Sequence, residues 1–358
     1  MDQRPMPRRQ DPATTDGGRI WLGLAVLYVV WGSTYLGIAV AVATIPPFLM
    51  AGSRFALAGA VLLAWTRMRG TFVRPTRREW LDTAIVGALL LGGGMGMVAW
   101  GEQSIPSGIA ALMVALMPVW VAILGRLAFG ERLPRLAVVG IVIGFVGVAI
   151  LVGPTALGAT GALDPAGVAA LVISPIAWAS GSLYASHRAR LPRQPLVATG
   201  TQMLAGSIVL VAMATATGEW ARFSPTTVSG PSIAAFLYLV VVGSLLAFTV
   251  FGWLLRVAPL PFIATYAYVN PVVAVALGTV VLHEALEPRT LIAGGVIVGA
   301  VALIVTARGR MAAPRLTASA RAVGPAGTPL EAPPRTPSAP SAPATPAADA
   351  ARTRSASG

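Results

Sequence analysis

Long apolar stretches separated by short polar links dominate the first 307 residues of the chain. A helix needs about 20 apolar residues to cross a hydrocarbon layer of roughly 30 Å. The links carry proline, glycine and most of the charges, which are typical of helix ends and turns. The pattern predicts an all-α polytopic membrane protein with ten transmembrane helices. The predicted spans are Ile20–Ala43, Phe48–Thr66, Leu81–Trp100, Ser107–Gly125, Leu136–Val152, Gly167–Ala185, Leu196–Ala216, Ser232–Leu255, Pro261–Leu282 and Leu291–Ala307.

Composition supports this interpretation and extends it to the two ends of the chain. Hydrophobic residues make up 56% and charged residues 11%, whereas soluble domains carry about 25% charged residues. Residues 1–19 are polar and lack the apolar core of a cleavable signal peptide, so we expect the first span to remain as an anchor. Residues 308–358 are rich in proline and alanine, which predicts a disordered cytoplasmic tail.

Arginine residues predict the orientation in the membrane. Sixteen arginines before the tail fall on the side that holds the N-terminus, and only Arg222 and Arg289 fall in links on the other side. The positive-inside rule then predicts that both termini are cytoplasmic. The same rule accounts for the net charge of +13. We therefore expect the lipid bilayer, and no nucleic acid, as the partner of these charges.

The chain shows few of the residues that catalysis requires. It has no cysteine, and its two histidines, His187 and His283, are predicted on opposite sides of the membrane. We therefore predict no metal and no cofactor. An intramembrane enzyme acting on a lipid or a small amphiphile is kept as an alternative, although it needs a base, a nucleophile or a metal set.

Two regions of the sequence repeat one another. Residues 106–140 match residues 259–293, and an earlier match joins the first and sixth spans. The chain therefore consists of two five-helix units, residues 20–153 and 166–307. Because five is odd, the second unit is expected to be inverted, with a solute site near the midplane. The matched pairs are Pro106/Pro259, Ala111/Ala264, Pro118/Pro271, Gly125/Gly278, Glu131/Glu284, Leu133/Leu286 and Trp31/Trp178.

Several motifs resemble a known family. They are residues 31–37 (WGSTYLG), 46–55 (PPFLMAGSRF), 106–111 (PSGIAA) and 266–275 (YAYVNPVVAV). With these motifs the chain resembles the EamA family of the drug/metabolite transporter superfamily, in particular YedA-like inner-membrane permeases of bacteria. The resemblance covers residues 20–307 and implies two EamA repeats and export of metabolites such as amino acids. One departure is His283 before Glu284, where the first repeat has Gly130 before Glu131.

Polar and adaptable side chains inside the spans are the candidate site, because polar groups are costly in a bilayer. Arg54 is predicted to attract a solute carboxylate or else to reach outward to the interface. Tyr266 and Asn270 share a helix face beside Pro271, which favours a cavity wall or bonding between helices. The predicted cavity residues are Trp31, Thr34, Tyr35, Arg54, Met113, Met117, Trp178, Ser182, Gln202, Tyr266, Tyr268 and Asn270.

Three acidic residues at the ends of spans are further candidates. Glu102 is predicted either to act with Arg54 in gating or coupling, or to be a solvated charge at a helix end. Glu131 and Glu284 are each expected to stabilise the start of the helix that follows them. The sequence thus predicts an exporter of a small-molecule solute, such as an amino acid or an amphiphilic drug, working by alternating access as a monomer or homodimer.

Overall fold

Ten long helices follow the predicted spans in the computed structural model, which describes residues 17–156, 163–258, 260–263 and 265–312. Nine are long and apolar enough to cross a membrane, and α9, with 16 residues, is shorter. The helices are α1 (Gly17–Val42), α2 (Pro47–Met68), α3 (Arg77–Gly101), α4 (Ser107–Phe129), α5 (Arg135–Ala156), α6 (Pro165–His187), α7 (Pro195–Ala216), α8 (Gly230–Tyr238, Leu239–Leu246 and Ala247–Val257), α9 (Tyr266–Val281) and α10 (Pro288–Ala312).

The two ends of the chain lie mostly outside the described residues. Helix α10 continues to Ala312, so the first five residues of the expected tail, from Arg308, are helical. The remainder of that predicted tail and the N-terminal residues 1–16 are not among the described residues.

Local signals set several helix ends. The Thr76 hydroxyl accepts a hydrogen bond from the Glu79 N–H at 3.3 Å, and the Glu79 carboxylate accepts one from the Thr76 N–H at 2.7 Å. This capping box starts α3 before the apolar run begins. Gly130, with φ 68°, ends α4, and its counterpart His283 takes a similar left-handed φ of 53° after α9. The exchange of glycine for histidine thus leaves the backbone path unchanged.

The two halves of the chain pack in matched pairs. Helix α2 runs along α7 and α5 along α10, while α1 packs on α8 and α9, and α6 packs on α3 and α4. Helices α3 and α8 each contain a π-helical segment, Ala88–Met95 and Leu239–Leu246, at equivalent depth. Corresponding helices therefore have corresponding partners, as two five-helix repeats require.

Side chains at the helix ends define two faces of the bundle. On the first, which we call the arginine-rich face, Glu131 pairs with His187 (3.2 Å) and Arg308, joining the ends of α4, α6 and α10. On the opposite face, Glu284 joins the end of α9 to the start of α4. Helices α4 and α9 therefore run in opposite directions, as inversion of the second repeat predicts.

Glu131 and Glu284 do not serve the helix that follows each of them, so that prediction was wrong. Glu284 accepts hydrogen bonds from the Ser107 N–H (2.7 Å), the Ser107 hydroxyl (2.7 Å) and the Gly108 N–H (3.1 Å). These donors form the first turn of α4, in the other repeat. A carboxylate at a helix N-terminus satisfies donors that have no partner inside the helix. The cap therefore links the two repeats.

The offset between matched residues is 147 for Trp31/Trp178 and 153 for Pro106/Pro259, which requires an insertion in the second repeat. Most of this insertion lies in the link between α7 and α8. This link contains the short helix Glu219–Arg222, which has no counterpart between α2 and α3. Glu219 is fully buried, and its carboxylate accepts hydrogen bonds from the main-chain N–H of Phe48 (3.2 Å) and Leu49 (2.9 Å). The second repeat thus also caps α2 in the first.

Two predicted spans are interrupted. In α4, the helix breaks at Ala115 and Leu116, and Pro118 lies in the first turn of its second part. Proline has no N–H to donate to the preceding turn, which explains a break at this point. The ninth span was predicted from Pro261, but a short helix, Leu260–Ile263, precedes α9, which starts only at Tyr266.

Candidate functional site

A cavity lies between the two repeats. Together with its opening it holds about 880 Å³ of empty space. Seven helices contribute to its wall, four from the first repeat (α1 to α4) and three from the second (α6, α8 and α9). The wall is mostly apolar, with a few polar groups, as is usual for small-molecule sites.

Aromatic rings form one side of the cavity. The Trp31 indole contacts Tyr266 and Phe248 edge to face, with ring centroids 4.9 and 5.8 Å apart. It also meets Phe251 at 5.1 Å. Edge-to-face contacts are favoured because the positive ring edge meets the negative face of its neighbour. Because each ring holds the next, this side of the cavity is a preformed apolar surface.

Arg54 brings a buried positive charge to the cavity. The side chain is 2% exposed, and its Nε donates a hydrogen bond to the Ser244 hydroxyl at 2.9 Å. Its guanidinium also lies over the Phe55 ring, 4.9 Å from the centroid. Among the described residues no carboxylate forms an ion pair with it. A buried guanidinium with no carboxylate partner is suited to bind an anionic group of a solute.

Asn270 provides a second polar group. Its side chain is 8% exposed, and its Oδ1 has no hydrogen-bond partner among the described residues. Buried acceptors normally have partners, so an unpaired one on a cavity wall is a candidate for a ligand donor. Helix α1 lies close to this residue, because a Cβ on Gly32 would be 3.2 Å from the Asn270 carbonyl oxygen.

Eight of the twelve predicted cavity residues lie together on this wall, and both repeats contribute to this set. Their role in binding stays a prediction. They are Trp31, Thr34, Tyr35, Arg54, Met117, Trp178, Tyr266 and Asn270.

Met113 and Tyr268 lie away from the cavity wall. Met113 was expected to share a face with Met117, but the break at Ala115 and Leu116 turns the two apart, and Met113 is 2% exposed in the core. Tyr268 lies two residues after Tyr266, which places it on the other side of α9.

Ser182 and Gln202 also lie away from the wall. Ser182 is one turn beyond Trp178, where α6 packs closely on α3, since a Cβ on Gly181 would be 2.3 Å from Leu90. Gln202 lies where α7 meets α3, and a Cβ on Gly87 would be 2.3 Å from the Gln202 carbonyl oxygen. Close helix packing thus leaves no room for the cavity at either position.

The predicted gating residues Arg54 and Glu102 are not paired in the structure. No ion pair joins them within the described part of the chain, and Arg54 instead binds Ser244. Glu102 is 6% exposed, so the alternative of a solvated helix-end charge is wrong. Whether either residue takes part in gating or coupling stays a prediction.

Sequence analysis missed Ser244 and Phe248. Both lie in or just after the π segment of α8, and Gly243 beside Ser244 lines the cavity. The sequence feature that could have indicated Ser244 is the Gly243–Ser244 pair in the middle of an otherwise apolar span. No group of three or more metal-ligating side chains occurs among the described residues.

Comparison with known proteins identifies the family. The model of the EamA-like transporter family matches residues 19–153 and 165–306. The inner membrane transporter YedA of Escherichia coli K12 is 40% identical over 285 residues, which cover 78% of this chain and 89% of YedA. The transporter YvbV of Bacillus subtilis is 28% identical over 280 residues, which cover 77% of this chain and 88% of YvbV.

Solved structures show the same fold. A protein known from a crystal structure superposes with a TM-score of 0.56 at 21% identity, covering 82% of this chain and 99% of its own. Neither YedA nor YvbV is named for a solute. The family is one of transporters, so the enzyme alternative is set aside. The chain is a membrane transporter with two EamA domains, and it belongs to the EamA-like transporter family.

Proposed function

We propose that this transporter exports small metabolites, such as amino acids or amphiphilic drugs, by alternating access of the central cavity. One observation carries the proposal: the mostly apolar wall presents a buried guanidinium, Arg54, and an unpaired amide oxygen, Asn270. A carboxylate fits the first group and an ammonium or hydroxyl donor fits the second. The aromatic side with Trp31 and Tyr266 suits an apolar body between these polar ends.

The cavity belongs to both repeats, which supports alternating access. Arg54 of α2 is bonded to Ser244 of α8, so a polar contact across the repeat boundary lies on the wall itself. In inverted-repeat transporters, rocking of one repeat or bundle against the other opens a midplane site to one side at a time. A solute that engages Arg54 would alter this contact and thereby bias the rocking.

We further propose that both termini face the cytoplasm and that one copy of the chain is sufficient for transport. The arginine-rich links support the orientation through the positive-inside rule. Reporter fusions are expected to place the link at Arg74 inside and the one at Pro154 outside. The cavity wall is built by a single chain, which supports a monomer as the transport unit even if the protein forms a homodimer.

The test is counterflow of radiolabelled amino acids and amphiphilic cationic drugs in proteoliposomes. We expect Arg54→Gln to lower transport of carboxylate solutes by about tenfold or more, since a charge-assisted bond is worth about 1.5–3 kcal/mol. Arg132→Gln, which removes an exposed arginine on the arginine-rich face, is the matched control. Equal rates in the two variants would contradict the role of Arg54, and no movement of any solute would contradict the function.

A further inference from the structure

Glu102 has a carboxyl group that the fold leaves without a partner. The residue directly follows α3, and both carboxyl oxygens are buried with no hydrogen-bond partner among the described residues. The carboxyl lies near the Ala39 main-chain N–H of α1, which favours the ionised form slightly but makes no hydrogen bond of normal geometry with it. The Glu102 N–H donates to the Val98 carbonyl at 2.9 Å, and Val98 lines the cavity. The carboxyl therefore lies about one helical turn from the cavity wall.

Every other carboxylate in the described part of the chain has a donor. The contrast matters because an acid that is only structural is normally held by such bonds. The donors are Thr76 for Glu79, Tyr184, Arg190 and Arg78 for Asp82, His187 and Arg308 for Glu131, Ser104 and Gly167 for Asp164, Phe48 and Leu49 for Glu219, Ser107 and Gly108 for Glu284, and Arg289 for Glu287.

The charged and titratable groups around Glu102 do not neutralise it. Tyr35 of α1 and Glu284, after α9, are both within electrostatic range. Arg54 of α2 is engaged by Ser244. Asp164, at the start of α6, is held by the Gly167 N–H and the Ser104 hydroxyl, which keep the pKa of that carboxyl below its usual range.

These surroundings favour the neutral acid. Burial costs the ionised carboxylate its hydration, and the Ala39 N–H offsets only a small part of that loss. The protonated acid loses far less hydration on burial. The negative charge of Glu284 acts in the same direction, because like charges disfavour ionisation. The conformation described here therefore favours the protonated form of Glu102.

The helix that carries Glu102 contains a segment suited to rearrangement. The π segment Ala88–Met95 ends about two turns before Glu102, and such segments occur frequently at functional sites. A shift of the end of α3 relative to α1, made while the cavity is open to the arginine-rich face, would bring the carboxyl into contact with water in the cavity. There the carboxyl would lose its proton, because hydration stabilises the ionised form.

We propose that Glu102 binds the proton that this protein exchanges for its solute. The proposal rests on the proposed function and names its coupling ion. A carboxylate oxygen of Glu102 forms an O–H bond with a proton taken from water on the opposite face. That bond breaks when the cavity opens to the arginine-rich face, and the proton passes to water there. One proton thus enters for each solute that leaves.

Infrared spectroscopy of the purified protein in nanodiscs tests the proton site without any solute. We expect a carbonyl band of a protonated carboxylic acid near neutral pH in the wild type. Glu102→Gln should abolish this band while the protein remains folded, as judged by helical circular dichroism. Glu287→Gln, which removes an exposed carboxylate on the same face, should keep it. Absence of the band from the wild type, or its persistence in Glu102→Gln, would overturn the proposal.

Transport of the twenty protein amino acids in proteoliposomes tests the coupling. We expect a gradient of one pH unit to accelerate wild-type efflux and to support about a tenfold solute concentration ratio at steady state, which corresponds to one proton moving down one pH unit. Glu102→Gln should retain solute counterflow but lose this acceleration, and Glu287→Gln should retain both. A wild-type efflux rate that is the same with and without the pH gradient would contradict the proposed proton coupling but not the proposed export function. No flux at all would refute the proposed function, and the infrared band would then decide the proton site alone.

Discussion

At the scale of single residues, the buried polar groups fall into two classes, those with a full set of hydrogen-bond partners and those without. Glu219 and Glu284 are fully bonded and join one repeat to the other. Glu102, Asn270 and Arg54 lie in or beside the cavity and lack a full set of partners. A buried polar group without a partner is destabilising, so its presence at a cavity points to a ligand or a proton as the missing partner.

Among the described residues, the backbone of His283 is strained. His283 takes a φ of 53°, in the left-handed region that favours glycine. We expect His283→Gly to stabilise the protein by about 1 kcal/mol, since left-handed backbone costs a non-glycine residue about 1–2 kcal/mol. Thermal unfolding in detergent measures the effect.

The equivalent position in the first repeat provides the reciprocal variant. Gly130 takes a φ of 68°, and a Cβ there would meet no atom within 4 Å. Gly130→His should therefore lower stability through the backbone alone. An unchanged melting temperature in both variants would refute the assignment of strain to these two positions.

At the scale of helices, glycine allows the close packing that shapes the cavity. The π segment of α3 contains Gly94, where a Cβ would lie 2.9 Å from Trp178 on the cavity wall. Neighbouring Gly92 and Gly93 approach Val209 and Ala177 in the same way. A side chain at any of these positions would force α3 away from α6 or α7.

Gly94→Ala should reduce transport by displacing the Trp178 ring, with only a modest loss of stability because the ring lies at a cavity. The matched control is Gly299→Ala in α10, where a Cβ meets no atom within 4 Å. Counterflow rates of the two variants are the measurement. If Gly94→Ala transports as fast as Gly299→Ala, Trp178 does not shape the transport path.

The cap that Glu219 provides for α2 predicts a change in stability rather than in transport specificity. Glu219→Ala would leave the buried N–H groups of Phe48 and Leu49 unpaired, at a cost of about 1–3 kcal/mol. Glu287→Ala removes an exposed ion pair with Arg289 and should cost under about 1 kcal/mol. Equal melting temperatures would contradict the capping role.

At the scale of the whole molecule, hydropathy and the repeat were sufficient to predict the helices and their division into two units. Eight cavity residues followed from polarity and helical spacing, including Trp31 and Asn270. The break between Met113 and Met117 was not predictable, because the local sequence is uniformly apolar and proline alone does not fix where a helix ends. The hydrogen bond that the Ser107 N–H donates to Glu284 was not predictable either, because it joins residues 177 positions apart.

The central claim is that the cavity opens to each face of the membrane in turn. Labelling of single introduced cysteines tests this claim directly, because the sequence contains no native cysteine. Val114→Cys places a single thiol on the cavity wall, and Val272→Cys places one on the exposed surface in the middle of α9 as a control outside the cavity. A membrane-impermeant thiol reagent is applied to right-side-out and to inverted sealed vesicles. The account predicts that Val114→Cys is labelled in both preparations and Val272→Cys in neither. Labelling of Val114→Cys from one face alone, with full labelling after solubilisation, would contradict it.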